Sequence, residues 1–190
     1  MYINLKKIPS EDLWVIARQN ARCTMGLPEK ANEVSPREKQ KMALSEHSPI
    51  RSLTYIWEWV DLPSWVSVHF TRHKIGIEHW VQSQRNDRQK NYDRNSAPQD
   101  SPVTHRCIAN AQAIINISRV RLCTQASIET RMAWSMLLDE LLIVSPELAS
   151  LCVPNCVYRN GICPEVYAKC RFRETDCFME AVSKYRKLFK

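Results

Sequence analysis

Only three glycines, Gly26, Gly76 and Gly161, occur in the 190 residues of this chain. They stand so far apart that neither a G-x-G-x-x-G turn nor a Walker-type loop can be written anywhere. Folds that cradle phosphate on a glycine backbone are therefore excluded, and a phosphorylated ligand has to be met by side chains. The chain has 27 Lys plus Arg against 20 Asp plus Glu, a net charge of +7. Such a balance suits anionic partners: nucleotides, nucleic acid or polyanionic cofactors. With 44% hydrophobic and 25% charged residues, the composition is that of one domain with one core, spanning residues 1–190. No stretch approaches the roughly 20 apolar residues of a membrane span. The opening MYINLKKIPSEDLW has no long apolar block of the signal-peptide kind. A cytoplasmic protein without a membrane partner is expected.

Eight cysteines occur, and their distribution is uneven. Cys23, Cys107 and Cys123 are scattered, while Cys152, Cys156, Cys163, Cys170 and Cys177 crowd a segment at 150–177. With no sign of secretion, reduced thiols are the default. The seven-residue recurrence from Cys156 to Cys177 is not the short spacing of a zinc knuckle. Idle or buried thiols are the favoured reading, with a structural zinc on Cys152, Cys156, Cys163 and Cys170, or disulfides, as alternatives. His69, His73 and His79 recur at four and six residues, but no carboxylate or cysteine near them in sequence completes a ligand set. No metal is expected there.

Hydrophobic periodicity predicts a helix over 10–25 with Ser10 as N-cap, and a second over 36–44 begun by Pro36. Residues 53–60, LTYIWEWV, alternate aromatic and β-branched side chains and predict a strand that Asp61, Leu62 and Pro63 break. Pro63 can start a helix running to about Phe70. The polar, basic stretch 71–94 offers little for a core, and 95–104 reads as a loop. From Cys107 to about Val144 the chain is helix-compatible throughout, as two helices or one bent one. A basic helix is expected from Cys177 to Lys190. Trp57, Trp59 and Trp65 read as core or subunit-interface residues, and Trp80 as a candidate wall of a ligand pocket.

Residues 72–85 read RHKIGIEHWVQSQR. They resemble the signature of the flavin-dependent thymidylate synthases, R-H-R-x-x-S-x-N-x-x-S-x-R-Y. Arg72 and His73 match its opening pair, Lys74 replaces the second arginine, and Ser83, Gln84 and Arg85 match S-x-R after one inserted residue. A second match lies at NAQAIINISRVR, Asn110 to Arg121, which is similar to the family's C-terminal N-A-R stretch with its following Asn and Leu-Arg pair. The run from Ala126 to Arg131 stands where an A-Q-x-E-I-R helix follows. A third echo is His47-Ser48-Pro49, similar to the entry into the family's first core strand. The departures are Arg51 for the usual glutamate, Gln112 for the N-A-R arginine, and Asn86 for the closing tyrosine. The 24 residues separating Arg85 from Asn110 are fewer than the family carries there, so Arg88 or Arg94 would have to supply a missing phosphate contact.

The resemblance implies an α+β fold, a small twisted and mainly antiparallel sheet flanked by helices. It also implies a homotetramer whose FAD and dUMP sites are shared between subunits. The activity implied is reductive methylation of dUMP to dTMP, with methylenetetrahydrofolate giving the carbon and NADPH reducing the flavin. By the same resemblance, Ser48, Arg72, His73, Lys74, Asn110, Gln112 and Asn116 would contact FAD. His69, Ser83, Gln84, Arg85 and Arg121 would contact the nucleotide, and Arg121 and Ser83 would be catalytic. The residue types suit the chemistry. A guanidinium beside the N3/O edge of uracil stabilises the enolate-like form that carries electron density to C5, and arginine stays protonated while doing so. Asn110, Ile117 and Arg121 are spaced for one helix face. The alternatives are methylation or hydroxymethylation of another pyrimidine nucleotide, UMP or dCMP, and a basic nucleic-acid-binding module held by a cysteine-bound metal. Nucleic acid is the less favoured partner.

Overall fold

Tyr55, Trp57 and Trp59 project from one face of a single long strand and are fully buried, and the molecule is assembled around them. In the computed structural model, which describes residues 1–167 and 170–189, that strand is β2 (Thr54–Pro63). It is the second strand of a four-stranded antiparallel sheet. β1 (Tyr2–Lys7) lies at one edge, then β2, then β4 (Pro102–Asn110), with β3 (Ile77–Val81) at the far edge. Trp57 pairs with Cys107, Trp59 with His105, and His79 of β3 with Cys107 from the other side. This is the expected α+β architecture. No helix among the described residues is long and apolar enough to cross a membrane.

The helices cover the tryptophan face. α1 (Glu11–Thr24) and α2 (Pro36–Ser45) lie where the periodicity places them, and a capping box between Ser35 and Glu38 starts α2. α3 (Ser64–Thr71) follows β2 directly. α4 (Ala111–Arg121) starts where the Asn110 side chain accepts the Ala113 amide proton at 2.9 Å. α5 (Ile128–Val144) crosses the indoles. The short α6 (Pro146–Ala149) and α7 (Asn155–Tyr158) precede α8 (Asp176–Lys187). Lys190, at the expected end of that last helix, lies outside the described residues, as do Ala168 and Lys169 in the cysteine-rich segment. Trp59 stacks on Phe70 of α3 with ring centroids 4.6 Å apart, and its Nε1 donates to the Ala133 carbonyl of α5 at 2.8 Å. Trp134 Nε1 donates to Ser118 Oγ of α4 at 2.8 Å, so each of these buried indole N–H groups finds an acceptor while its ring packs.

Three expectations are corrected. β2 does not stop at Asp61: that residue takes a positive φ of 56°, the register shifts between Trp59 and Leu62, and the bulge lets Leu62 re-enter the core. The basic stretch 71–94 contains β3, whose Ile77 is buried. The helix-compatible run begins at 111, because residues 107–110 finish β4 with Cys107 and Ala109 facing inward.

On the opposite sheet face, Glu58 accepts from Lys6 at 2.6 Å and from Arg106 at 2.7 Å, tying three strands together. These hydrogen bonds, Lys6 first and then Arg106, hold its carboxyl down at about 2. A depressed carboxyl pKa contributes stability that is complete above the ordinary value near 4.5 and is lost as pH falls towards 2. Thermal unfolding followed across this range should therefore show a steeper acid loss for the wild type than for Glu58→Gln. Parallel curves would remove Glu58 from the acid response.

Candidate active site

α3 and α4 both end at the same place. The last turn of α3 carries His69, and the chain leaves it through Arg72, His73 and Lys74, with the His73 amide donating to the Phe70 carbonyl at 3.0 Å. The last residue of α4 is Arg121. Its Nε donates to His73 Nε2 at 2.8 Å, and its NH2 donates to the His69 carbonyl at 2.6 Å. The guanidinium is thus gripped along one edge, which leaves the other edge for a ligand.

The hydrogen bonds fix the protonation pattern. Because His73 Nε2 accepts from Arg121, a neutral His73 carries its proton on Nδ1. Burial, with the Arg121 charge second, pushes the His73 pKa down to about 4. His69 Nδ1 lies 3.0 Å from the Thr130 hydroxyl, which itself accepts from Ser127 at 2.8 Å, so Thr130 is free to donate to the ring. Burial, then Arg121 and Arg72, lower His69 as well. His79 Nε2 donates to the His73 carbonyl at 2.9 Å, which makes its Nδ1 the acceptor for His105 Nε2 at 2.9 Å. Ser67 in turn reaches His105 Nδ1 at 3.0 Å. Burial holds His105 down at about 3. Four neutral imidazoles, one guanidinium and three hydroxyls form a single connected chain.

Charge around this chain is one-sided. Burial and the Arg72 guanidinium lower the pKa of Arg121 without removing its charge. None of Arg72, Lys74, Arg94 and Arg121 has a carboxylate within 4.0 Å among the described residues. Beside them opens a cavity of about 420 Å³ walled by Trp65, His69, Arg72, Gln84, Tyr92 and Arg94. Two aromatic rings and two uncompensated guanidiniums at one cavity suit an anion that carries a flat ring.

The expected site residues divide into groups. His69, Arg72, His73, Gln84 and Arg121 come together here, and Lys74 is exposed alongside. Ser83 is exposed, its carbonyl taken by Gln89, and Arg85 turns away to a bidentate pair with Asp87 at 2.9 and 2.7 Å. Asn110 is committed to capping α4 beside Gly76. Gln112 and Asn116 form a separate cluster with Glu46 and Arg119. Ser48 lines another cavity, of about 550 Å³, with His47 and Met42. Asn110, Asn116 and Arg121, expected along one helix, therefore face three different neighbourhoods within the chain. His105 and Thr130 are additions that sequence reasoning missed. The inward alternation of Val103, His105, Cys107 and Ala109 is the signal that marks the first of them.

A titration of the imidazole resonances should show His73 neutral down to about pH 5, changing near 4. Its folded value lies below the ordinary 6.5, so the stability it contributes is whole above 6.5 and drains away as pH falls through 4. Arg121→Gln removes one of the depressing causes and should move the midpoint upward. A midpoint at 6.5 in the wild type would contradict the burial and contacts described.

No protein-family profile matches the chain, and no curated protein matches it by sequence. Solved structures do match by shape. A flavin-dependent thymidylate synthase from Helicobacter pylori, complexed with FAD and dUMP, superposes with a TM-score of 0.65 at 17% identity, over 80% of this chain and 100% of that one. A UMP/dUMP methylase from Streptomyces cacaoi, bound with 5-Br dUMP, gives a TM-score of 0.60 at 11% identity, over 78% of this chain and 93% of the other. The chain therefore has the fold of the flavin-dependent thymidylate synthases.

Proposed function

We propose that this protein is a flavin-dependent methyltransferase that converts dUMP to dTMP, using methylenetetrahydrofolate as carbon donor and NADPH as reductant. The observation that carries the reading is the cluster of uncompensated cations, Arg72, Lys74, Arg94 and Arg121, gathered around neutral histidines at an aromatic cavity. It stands in a fold whose solved examples hold FAD and dUMP. The donor set fits a flavin dinucleotide: Arg72 and Lys74 are exposed cations for its pyrophosphate, and His73 offers an Nδ1–H beside them. When bound, the flavin would supply the reducing equivalents for the new methyl group.

In this reading Arg121 holds its free edge against the N3/O edge of the pyrimidine, and its charge stabilises the enolate-like form. His73 and the His69 carbonyl keep the guanidinium plane from turning. The depressed His73 pKa keeps that imidazole an acceptor rather than a competing cation. Gln84 and Arg94 receive the nucleotide phosphate, with Ser83 and Arg85 beside them once Arg85 leaves Asp87. Ser48, Asn110, Gln112 and Asn116 lie apart from this centre within one chain, as they would if they completed the flavin site of a neighbouring copy in a homotetramer. UMP is the second substrate reading, favoured by the likeness to the Streptomyces cacaoi methylase.

Purified protein supplied with FAD, NADPH, methylenetetrahydrofolate and dUMP should form dTMP. Arg121→Lys keeps the charge but loses the planar fork, and should lower turnover by about 10²-fold, roughly 3 kcal/mol, with FAD affinity little changed. Normal turnover in that variant would remove Arg121 from the reaction. Added FAD should also raise the melting temperature and oppose dissociation on dilution, by about 2.7 kcal/mol at a hundredfold excess over its dissociation constant. A monomer indifferent to FAD, binding oligonucleotides in a steeply salt-dependent way, would overturn the proposal.

A further inference from the structure

The cysteine-rich segment inverts the usual burial rule. Between α7 and α8 the side chains of Ile162, Val166 and Tyr167 point outward, at 66%, 82% and 97% exposure, while Cys163 and Cys170, with Cys156 of α7, are half-buried. There they meet Cys123, which lies two residues beyond Arg121 at the end of α4. All four line one enclosed cavity of about 40 Å³. That exceeds the roughly 10–15 Å³ needed for one water, so the space has room for a single ion.

Hydrogen-bond donors meet two of the sulfurs, while burial raises the Cys123 and Cys156 thiols, so the metal itself has to drive their ionisation. The Phe172 amide reaches Cys170 Sγ at 3.4 Å, and the Thr124 hydroxyl lies 2.8 Å from the same sulfur. The Gln125 amide hydrogen-bonds Cys123 in the same i to i+2 manner. Arg173 stands in the wall with one carboxylate, Glu165, while Arg119, also in the wall, is paired with Glu46. Cys152 does not belong to the set, although its sequence position suggests it: its buried thiol faces the Leu148 carbonyl at 3.5 Å. Burial also pushes that thiol up to about 12. A second cluster, His79, His105 and Cys107, is tighter, its ligand atoms all within 4.8 Å of one another. Its ring nitrogens are already paired in the neutral histidine chain, however, and its thiol is fully buried.

We propose that Cys123, Cys156, Cys163 and Cys170 hold one zinc ion as a tetrathiolate that pins the segment after α7 to the end of α4. Four soft thiolates in a closed, irregular setting match structural zinc, with Zn–S bonds of about 2.3 Å. No three of the four sulfurs lie within 4.8 Å of one another, so binding requires side-chain rotation to draw them onto the ion. Binding releases the thiol protons to solvent, and all four positions are filled by protein, so the ion has no open site for chemistry. Its effect is positional: it fixes the turn that carries Arg121. This inference stands apart from the flavin reading, since it needs neither nucleotide nor cofactor.

Protein purified under reducing conditions should contain one zinc per chain by elemental analysis. Replacement by Co²⁺ should give the red-region d–d bands and near-ultraviolet sulfur-to-metal bands of a tetrathiolate. Cys163→Ser and Cys170→Ser should lose stoichiometric metal, while Cys152→Ala and Cys107→Ala keep it. Should the serine variants fail to fold, thiol titration of the wild type decides. Adding a chelator should make four further thiols titratable, beyond those that react without it. A wild type that takes up no Zn²⁺ or Co²⁺, metal lost from Cys107→Ala, full retention in both serine variants, or disulfides within the quartet by mass spectrometry would each overturn the proposal.

Discussion

The register of β2 against β4 sets Trp57 opposite Cys107 and Trp59 opposite His105, and both halves of the candidate site descend from that pairing. Stacking of Trp59 on Phe70 seats α3, whose last turn delivers His69 and then Arg72 and His73. The end of β4 is Asn110, whose side chain starts α4, and eleven residues later α4 delivers Arg121. A slip of one residue in this pair would turn Trp57 and Trp59 away from the core and separate the two helix ends. Gly76 adds a clamp. It sits at a φ of 73°, its carbonyl accepts the Asn110 amide proton at 2.9 Å, and a Cβ there would lie 2.6 Å from Asn110 Nδ2. One of only three glycines is thus spent where the turn into β3 meets the start of α4.

Electrostatically the site is built from what it omits. Arg121 faces an imidazole and a carbonyl, and neither it nor Arg72, Lys74 or Arg94 pairs with a carboxylate among the described residues, so the positive potential is left for an incoming anion. Keeping the buried His105 and the half-buried His69, His73 and His79 neutral avoids the desolvation cost that charged imidazoles would carry there. Carboxylates appear instead on the far sheet face, where Glu58 joins three strands.

Much of this was legible in the sequence, and the failures have physical causes. LTYIWEWV announces a half-buried strand because its inward residues are all apolar, whereas the inward side of β3 includes His79, so the strand looks like solvated surface. Residues 107–110 carry no glycine or proline and join a helix without interruption, which hid the end of β4; only the alternation back to Val103 shows it. The motif residues Arg72, His73 and Arg121 were found together because their sequence matches encode one meeting point. Ser83 and Arg85 also belong to the match, yet a local partner, Asp87, turns the Arg85 side chain away. Cys123 stood far from the other cysteines in sequence, and only the fold brings it to them.

The β3–β4 connection is closed at its base. The Gln82 amide donates to the Thr104 carbonyl at 2.8 Å, and the Thr104 amide returns a bond to the Gln82 side chain at 3.0 Å. Residues beyond this latch, 83–101, hold no strand or α-helix and supply the Gln84, Tyr92 and Arg94 wall of the cavity. Lengthening such a loop carries little thermodynamic penalty, since each doubling adds only about 0.6 kcal/mol of closure entropy. The scaffold can thus exchange this whole excursion as a cassette, changing which ligand it admits while leaving the guanidinium, the histidines and the sheet beneath them untouched.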